Sequence, residues 1–501
     1  MKKDKTKIYN ILIIIFMFCI VFSTIIIREL NDLDEIWNYN FAKNIADGLV
    51  PYKDFNMIIT PLTSMICAIF LKLIANELIV MRILAGVLLT AIFFVSYKIL
   101  NKLLKNNRKI SLVLILIIML MFSDVYAIDY NYATLLIALI LVLLELNRLD
   151  KDENILNYNF KEDFILGLVA GLGILCKQTT GLIVSLACIG YKIFAIRNKE
   201  DIIRFLKIAF TRLFGALIPC AIFLIYLIVN NALYDFIDYA ILGVSTFTNT
   251  ISYTNLFEDT WYIRVLALLV PIGIIIMFIK IFVGKKDRKI LILFAYSISS
   301  FVVVYPISNK IHFLIGSLIS ILGIIYLFSS VISKFMNKIN KKHKSIFRNI
   351  VYFALVFLIL YNFVFCIKYF YYYVTNTKQT EIKHFSYIFI DTELMESIKE
   401  IDEFIIEKNK EGIDVYVLDA MAATYMIPLD KYNKNYDMFL KGNLGSGGQE
   451  GIISNLDEDA IYLVRNDNYL NNWQTPYNVL IHIKLAFSKV GEIYIFDIYS
   501  K

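Results

Sequence analysis

Long runs of apolar residues, separated by short polar segments, fill most of the chain. The first run extends from Ile8 to Ile27 without a charge, and at about 1.5 Å per residue it can cross a hydrocarbon core of about 30 Å. It continues to Arg28 without the small-residue cleavage site of a signal peptide, so we interpret it as an uncleaved first helix. The pattern predicts an α-helical polytopic membrane protein.

The direction of the spans follows from the positions of the basic residues. The segment from Met57 to Ile74 is near span length but contains Pro61 and Lys72. If it crossed the membrane, the basic loop from Lys98 to Lys109 would lie outside, against the positive-inside rule, so we expect an interfacial or re-entrant segment. The other predicted spans are Ile79–Tyr97, Ile110–Ala127, Ala133–Leu149, Phe164–Cys176, Gly181–Ala195, Phe214–Val229, Ile263–Val283, Ile290–Tyr305, Phe313–Ile332 and Val351–Ile367. The chain thus has about eleven predicted spans, with a cytoplasmic N-terminus and an external C-terminus.

The composition changes after Tyr369, which divides the chain into two predicted domains. Residues 1–369 form the transmembrane domain, whose first outer loop covers about residues 28–76. Residues 370–501 are expected to form a small extracytoplasmic α/β domain. Its predicted elements are an amphipathic helix at Thr392–Lys408, strands at Val415–Asp419, Ile461–Arg465 and Glu492–Ile498, and a flexible glycine-rich loop at Gly442–Gly451.

Composition and motif content exclude several classes of protein. A hydrophobic content of 58%, a charged content of 19% and a mean hydropathy of +0.65 exclude an ordinary soluble domain and a disordered or coiled-coil protein. The net charge of +7 lies in loops between apolar runs, so it reports topology and no nucleic-acid partner is expected. The six cysteines lie in apolar stretches without C-x-x-C spacing, which argues against a disulfide framework or a cysteine metal site. Sequence motifs of nucleotide hydrolases, zincins and serine hydrolases are absent.

The first outer loop contains adjacent carboxylates, Asp34 and Glu35, just beyond the first span. A carboxylate at the membrane interface, partly desolvated by aromatic residues such as Trp37, can have the raised basicity of a general base. Adjacent helical residues point in different directions, so the two are not a paired acid and base. The alternative is an ordinary acidic loop outside the membrane.

Two cationic residues are the second and third candidate features of the predicted outer face, after the carboxylates of the first outer loop. Lys177 lies at the outer tip of a predicted helical hairpin, where an ammonium suits the phosphate of a lipid head group. His312, one of four histidines, follows Asn309 and Lys310 at the outer start of a span and suits a phosphate contact or a proton relay. Snorkelling of the lysine and an ordinary surface role for the histidine are the alternatives.

The fourth feature is the outer loop that contains Asp124, Asp129 and Asn131. It offers a second source of carboxylates for an acceptor or a metal ion, and its alternative role is to cap the next helix.

The order of these features resembles that of the integral-membrane GT-C glycosyltransferases, a group that includes protein O-mannosyltransferases, aminoarabinose transferases and RgtA-like bacterial enzymes. The resemblance covers about the first 320 residues. It rests on "LDEIW" with Asp34 and Glu35, on "GLVPYKDF" and "TPLTSMICAIFLKL", on Arg82, on "GLVAGLGILCKQTTGL" with Lys177, and on the stretch Pro306–His312.

The resemblance implies transfer of a sugar from a polyprenyl-phosphate donor to an acceptor on the outer face of the cytoplasmic membrane, usually with inversion. It implies that Asp34 is the base that deprotonates the acceptor hydroxyl. The other implied roles are charge balance on the lipid phosphate for Lys177, His312 and Arg82, orientation or acceptor binding for Glu35 and Asp129, and closure over the site for the segment of Tyr52 and Asp54.

Several points stay open at this level. The acceptor is a glycan, a protein or a lipid. The domain after residue 370 resembles no domain whose activity is known. Some enzymes of this group use a divalent ion such as Mg or Mn and others use none, so no cofactor is assigned. A transporter or flippase of lipid-linked saccharides and a non-catalytic scaffold are the competing functions, but the candidate residues cluster at the outer ends of spans, which favours a cell-envelope enzyme. The Ile, Asn and Lys richness indicates a bacterial source.

Overall fold

The computed structural model of the chain describes residues 2–30, 32–123, 128–247, 250–283, 287–338, 341–376, 380, 382–466 and 474–501. Within these ranges, eight helices are long and apolar enough to cross a membrane. The chain is therefore a multi-pass membrane protein, as its apolar pattern predicts.

Within the described residues, fourteen α-helices precede the C-terminal part of the chain. They are α1 (Lys2–Ile26), α2 (Leu33–Ala46), α3 (Leu62–Leu73), α4 (Leu78–Leu103), α5 (Arg108–Met121), α6 (Tyr130–Lys151), α7 (Phe160–Cys176), α8 (Gln178–Gly190), α9 (Lys199–Val229), α10 (Leu233–Phe236), α11 (Trp261–Phe282), α12 (Arg288–Phe301), α13 (Lys310–Lys338) and α14 (Lys341–Thr375).

The helices agree with the predicted spans, although three are short. Helices α5, α7 and α12 have 14, 17 and 14 residues and join the eight long helices in the bundle, one of which is the 13-residue α8 continued by a 3-10 helix at Tyr191–Ala195. Helix α3, in the segment predicted to be interfacial or re-entrant, has only 12 residues. At about 1.5 Å per residue it is too short to cross a core of about 30 Å.

Glycines let the helices around the α7–α8 hairpin approach closely. A Cβ atom on Gly181 would lie 2.1 Å from the Gly173 carbonyl oxygen, and one on Gly167 would lie 2.0 Å from the Arg212 carbonyl oxygen. Because no larger residue fits at these contacts, the hairpin is tight and Lys177 lies at its tip.

A small sheet follows the bundle. Its elements and the neighbouring helices are α15 (Thr392–Lys410), β1 (Val415–Leu418), α16 (Ala423–Met426), α17 (Gly448–Ile453), β2 (Ile461–Arg465), α18 (Tyr477–Ala486), β3 (Ser488–Ile493) and β4 (Phe496–Ser500). The strand order is β1-β2-β4-β3, with β1 and β2 parallel and the other pairs antiparallel. The prediction of a single strand at Glu492–Ile498 is wrong. A turn at Tyr494, where φ is 51°, splits that run into the hairpin of β3 and β4.

The C-terminal part packs directly against α2. The Trp37 indole N–H donates a hydrogen bond to the Ala420 carbonyl at 2.9 Å. The Asp430 carboxylate accepts hydrogen bonds from Lys43 at 2.8 Å, from His384 at 2.6 Å and from Lys383. Burial opposes ionisation, but these three donors hold the pKa of Asp430 below its usual range. The carboxylate therefore links α2 to two later segments of the chain.

Two further features define the ends of the bundle. Exposed aromatic residues at one end, Tyr234, Trp261 and Tyr305, lie where α9, α11 and α12 begin or end, as in the aromatic belt at a membrane interface.

At the opposite end, Arg212 binds Glu145 and lies 2.8 Å from Asp163, and all three side chains are at most 2% exposed. This second group, the Arg212 cluster, ties α9 to α6 and α7.

The Asp430 contacts lead to a prediction about α2. Asp430→Asn removes the negative charge that three donors share, so hydrogen–deuterium exchange of the amides in residues 33–46 should become faster. The exposed Asp414 provides the control, because Asp414→Asn removes a carboxylate of the same part of the chain. Equal exchange in the wild type and in Asp430→Asn would contradict the role of this contact.

Candidate active site

Asp34 lies in the first turn of α2, at the end of the bundle where α1 ends and α4 begins. The Asp32 side chain caps this helix by accepting a hydrogen bond from the Asp34 amide at 2.9 Å. Asp34 is half-buried, and no side chain among the described residues donates a hydrogen bond to its carboxylate. The carboxylate can therefore accept a proton or a hydrogen bond from a ligand.

A second carboxylate and an ammonium lie beside Asp34. Asp129, which is 3% exposed, caps α6 and accepts hydrogen bonds from the Asn131 amide at 2.6 Å and from its side chain at 3.1 Å. The Asn131 side-chain oxygen accepts a hydrogen bond from Lys177 at 2.7 Å. The same ammonium lies 5.3 Å from the centre of the Tyr130 ring. Asn131 thus connects the buried carboxylate to the lysine.

Burial and like charges make Asp34 more basic than an ordinary carboxylate. Burial raises the pKa of Asp34 well above its usual value, and the charges of Asp129 and Asp32 raise it further. Lys177 acts in the opposite direction on this pKa. Burial lowers the pKa of Lys177, whereas Asp129 and Asp34 favour its charged form. The site therefore combines a basic carboxylate with a cation that keeps two of its three N–H donors for another partner.

Contacts with the hairpin tip hold Lys177 in place. The Gln178 side-chain N–H group donates hydrogen bonds to the carbonyls of Ile58 and Ala240, each at 2.9 Å. Its oxygen accepts a hydrogen bond from the Thr60 amide at 3.1 Å. The segment before α3 is thereby fixed next to the lysine, a connection that the sequence pattern did not indicate.

The structure also brings His312 toward Lys177. Its Nδ1 atom lies 2.8 Å from the Asn309 side-chain oxygen, which also accepts a hydrogen bond from the His312 amide at 2.9 Å. His312 lies within electrostatic range of Lys177. Next to it, the Lys310 ammonium lies 5.4 Å from the centre of the Tyr262 ring. Asn309 therefore orients the ring on the same side of the site as the lysine.

Glu35 and Arg82 bind each other. The Arg82 guanidinium donates to the two Glu35 oxygens at 2.8 and 2.9 Å, and its third contact is the Arg28 carbonyl at 2.7 Å. The side chains of the pair are only 8% and 1% exposed. This ion pair ties α2 to α4. It occupies the Glu35 oxygens and the Arg82 N–H groups that a substrate would need, so it suits a positioning role for both residues.

Tyr52 and Asp54 form a turn after α2. Tyr52 has a positive φ of 71°, and its buried hydroxyl donates a hydrogen bond to the Ile59 carbonyl at 2.7 Å. The Asp54 carboxylate accepts a hydrogen bond from the Val50 amide at 2.7 Å. Both side chains thus hold the loop that leads to α3.

The described residues do not form a divalent-metal site. No group of three or more His, Cys, Asp or Glu side chains within the described part of the chain has the spacing to hold a metal ion. Asp32, Asp34 and Asp129 influence each other electrostatically, but two of them are occupied as helix caps. Asp124 lies outside the described residues.

Comparisons with known proteins identify the fold. Residues 59–226 match the family model "Dolichyl-phosphate-mannose-protein mannosyltransferase". The crystal structure of ArnT from Cupriavidus metallidurans bound to undecaprenyl phosphate covers 98% of this chain and 97% of its own, with 11% identity and a TM-score of 0.58. The apo structure of ArnT from the same organism covers 99% and 98%, again with 11% identity and a TM-score of 0.58. No curated protein sequence matches the chain.

The chain has the GT-C fold. The resemblance stated from the sequence is thereby confirmed, and the likeness extends beyond the N-terminal part to nearly the whole chain. The family match covers Arg82, Asp129 and Lys177, whereas Asp34 lies before its first residue.

The electrostatics of this GT-C site predict how transfer depends on pH. If Asp34 is the base, the rate should rise with pH through its raised pKa, because only the deprotonated form accepts a proton. Asp129→Asn removes a negative neighbour, lowers that pKa and should shift the rise to lower pH. Lys177→Met removes a positive neighbour and should shift the rise to higher pH. Pre-steady-state rates of sugar transfer between pH 5 and 9 (roughly the working range of carboxylate bases) measure both shifts.

The two variants are informative because their shifts have opposite signs. Glu258→Gln removes an exposed carboxylate from a loop and provides a control that should leave the profile unchanged. Shifts in the same direction, or none, would exclude electrostatic control of the base by Asp129 and Lys177.

The Glu35–Arg82 pair gives a separate prediction about stability. Arg82→Met leaves a buried carboxylate without its partner, so the free energy of unfolding should fall by about 3 kcal/mol or more. The double variant Glu35→Gln/Arg82→Met should recover part of this loss because the unpaired charge is gone. Thermal unfolding in detergent measures the change, with Arg264→Met at an exposed position as the control. A single variant as stable as the wild type would argue against a positioning role.

Proposed function

We propose that this protein is a membrane glycosyltransferase that moves a sugar from a polyprenyl-phosphate donor to a hydroxyl acceptor, with Asp34 as the general base. The observation that supports this best is the arrangement of a basic Asp34, a buried Asp129 and the Lys177 ammonium at one end of a GT-C bundle. A carboxylate and a cation side by side are the two charges that such a transfer requires.

The proposed reaction is a direct displacement at the anomeric carbon. The acceptor oxygen forms the new glycosidic bond while the bond from the anomeric carbon to the phosphate oxygen breaks. The acceptor proton passes to Asp34, and the bonding electrons leave with the lipid phosphate. A raised pKa suits Asp34 to this step, because a more basic carboxylate takes the proton more readily.

Lys177 balances the charge on the leaving phosphate. The ammonium lies at the hairpin tip with N–H donors beyond the one that binds Asn131. Negative charge on the phosphate grows as the sugar departs, so a fixed cation stabilises the transition state more than the ground state. His312, within electrostatic range of Lys177, is placed to contact the same phosphate.

The fold and the positions of the basic loops support a donor and a location for this reaction. ArnT has been crystallised with undecaprenyl phosphate, which supports a polyprenyl-phosphate carrier for this chain. The basic loops lie at the end of the bundle opposite to Asp34, so the positive-inside rule favours a site on the outer face of the cytoplasmic membrane. The same argument favours an extracytoplasmic domain at residues 370–501. The acceptor is a glycan, a protein or a lipid that carries a hydroxyl group.

A transporter of lipid-linked saccharides is the second candidate. Its support is the buried Arg212 cluster, since ionisable residues inside a bundle are a feature of transport proteins. That cluster is paired internally, whereas the Asp34 carboxylate accepts no side-chain hydrogen bond within the described ranges. The enzyme therefore accounts better for the arrangement.

The decisive experiment is a transfer assay with purified protein in detergent. A panel of polyprenyl-phosphate sugars is incubated with wild type and Asp34→Asn, and the release of polyprenyl phosphate is measured by mass spectrometry. We expect release by the wild type and a loss of about 1000-fold or more in the variant, because the amide keeps the shape but accepts no proton. Glu258→Gln should retain wild-type release.

Two results would reject parts of this proposal. Release by Asp34→Asn at the wild-type rate would remove Asp34 from the mechanism. Binding of the donors without release by any protein would favour the transporter.

A further inference from the structure

One buried hydroxyl beside Asp34 has no role in the reaction described so far. Tyr132 lies in the first turn of α6, three residues after the Asp129 cap, and is 1% exposed. Its hydroxyl has no hydrogen-bond partner among the described residues. Because a buried polar group without a partner costs about 1–3 kcal/mol, such a group calls for a ligand or another function.

The surroundings of this hydroxyl are negatively charged. Tyr132 lies within electrostatic range of the Asp129, Asp32 and Asp34 carboxylates. Its amide donates a hydrogen bond to the Asp129 carbonyl at 3.1 Å, which fixes the residue next to the site. The hydroxyl is therefore held among the carboxylates of the site.

A second unpartnered group lies one turn after Asp34. The Asn38 side chain donates a hydrogen bond to the Asp34 carbonyl at 2.8 Å, but its own oxygen accepts none from the described residues, and the residue is 3% exposed. The site thus contains an unused donor on Tyr132 and an unused acceptor on Asn38.

The chemistry of these groups restricts what binds here. A phosphate has only acceptor oxygens at neutral pH and is repelled by three carboxylates. An ammonium group only donates and would leave the Tyr132 proton unpaired. A sugar hydroxyl is neutral, and it accepts a hydrogen bond from Tyr132 while it donates one to a carboxylate. Among these three ligand chemistries, the sugar hydroxyl is therefore the one that satisfies the site.

We propose that Tyr132 binds the sugar ring of the lipid-linked donor by donating a hydrogen bond from its hydroxyl to a sugar hydroxyl. This inference rests on the proposed glycosyl transfer and adds the contact that recognises the sugar. In this arrangement the lipid phosphate contacts Lys177, while the sugar ring contacts Tyr132 and the carboxylates.

Tyr296 provides a matched control. It is also fully buried, at 0% exposed, but its hydroxyl lies beside Cys188 in the region of the Arg212 cluster. Removing either hydroxyl leaves the ring and its packing unchanged. Only Tyr132→Phe removes a donor from the proposed sugar site.

The test compares the thermal stabilisation that two ligands give to wild type, Tyr132→Phe and Tyr296→Phe. Undecaprenyl phosphate probes the phosphate contact, and undecaprenyl-phosphate sugars probe phosphate and sugar together. In wild type, the sugar should add stabilisation beyond that of the lipid phosphate. Tyr132→Phe should keep the response to undecaprenyl phosphate, bind the sugar-bearing lipid about five- to tenfold more weakly and raise KM more than it lowers kcat. Tyr296→Phe should match wild type throughout.

The ligand-free proteins separate binding from folding. A buried hydroxyl without a partner destabilises the folded state, so Tyr132→Phe without ligand should unfold at the wild-type temperature or higher. A lower unfolding temperature would indicate a structural hydroxyl and overturn the proposal. An unchanged response of Tyr132→Phe to the sugar would also overturn it, while loss of transfer in Asp34→Asn would leave the proposed function intact. A wild type that responds to none of the sugars would overturn both.

Discussion

The buried ion pair between Glu35 and Arg82 is the contact on which the geometry of the site depends. Helix α2 does not cross the membrane, so the membrane itself does not fix its position. The two-point contact with α4, at 2.8 and 2.9 Å, sets both the place and the rotation of its first turn. Asp34 is the residue before Glu35 and consequently faces a different direction, toward Asp129 and Lys177. This ion pair thus determines where the basic carboxylate points.

Under the proposed function, the charge balance of the site favours proton transfer to Asp34. Three aspartates and one lysine give it a net negative charge, and burial adds to the cost of ionising each carboxylate. Binding of a lipid phosphate near Lys177 would raise that cost further, so Asp34 gains basicity as the donor enters. The acceptor proton would then find a stronger base in the complex than in the empty protein. The negative charge of the aspartates is unfavourable in the free protein, and for the same reason it favours proton transfer to Asp34.

The sequence predicted the helices well because membrane spans follow from one property, hydrophobic length. It also indicated Asp34, Lys177 and His312, since a charge at the end of an apolar run is visible in one dimension. It named Asn131 only as part of a polar outer loop and gave no indication of its contact with Lys177, because only the fold brings the Asn131 side-chain oxygen to 2.7 Å from that ammonium. The pairing of Glu35 with Arg82 was missed for the same reason, since 47 positions separate them. The turn at Tyr494 was missed because its neighbours are as apolar as a strand.

The C-terminal part of the chain has a physical connection to the chemistry. Trp37 and Lys43 lie on α2, and both bind residues after position 419, so α2 is held between the bundle and the small sheet. A buried helix with polar residues such as Asn38 and Asn40 would be unstable against lipid, and the C-terminal part supplies the protein surface that covers it. Asn40, for example, lies close to the buried Asp437 carboxylate from that part. A chain without this part would therefore expose α2, and the base would lose its fixed orientation even though every span remained.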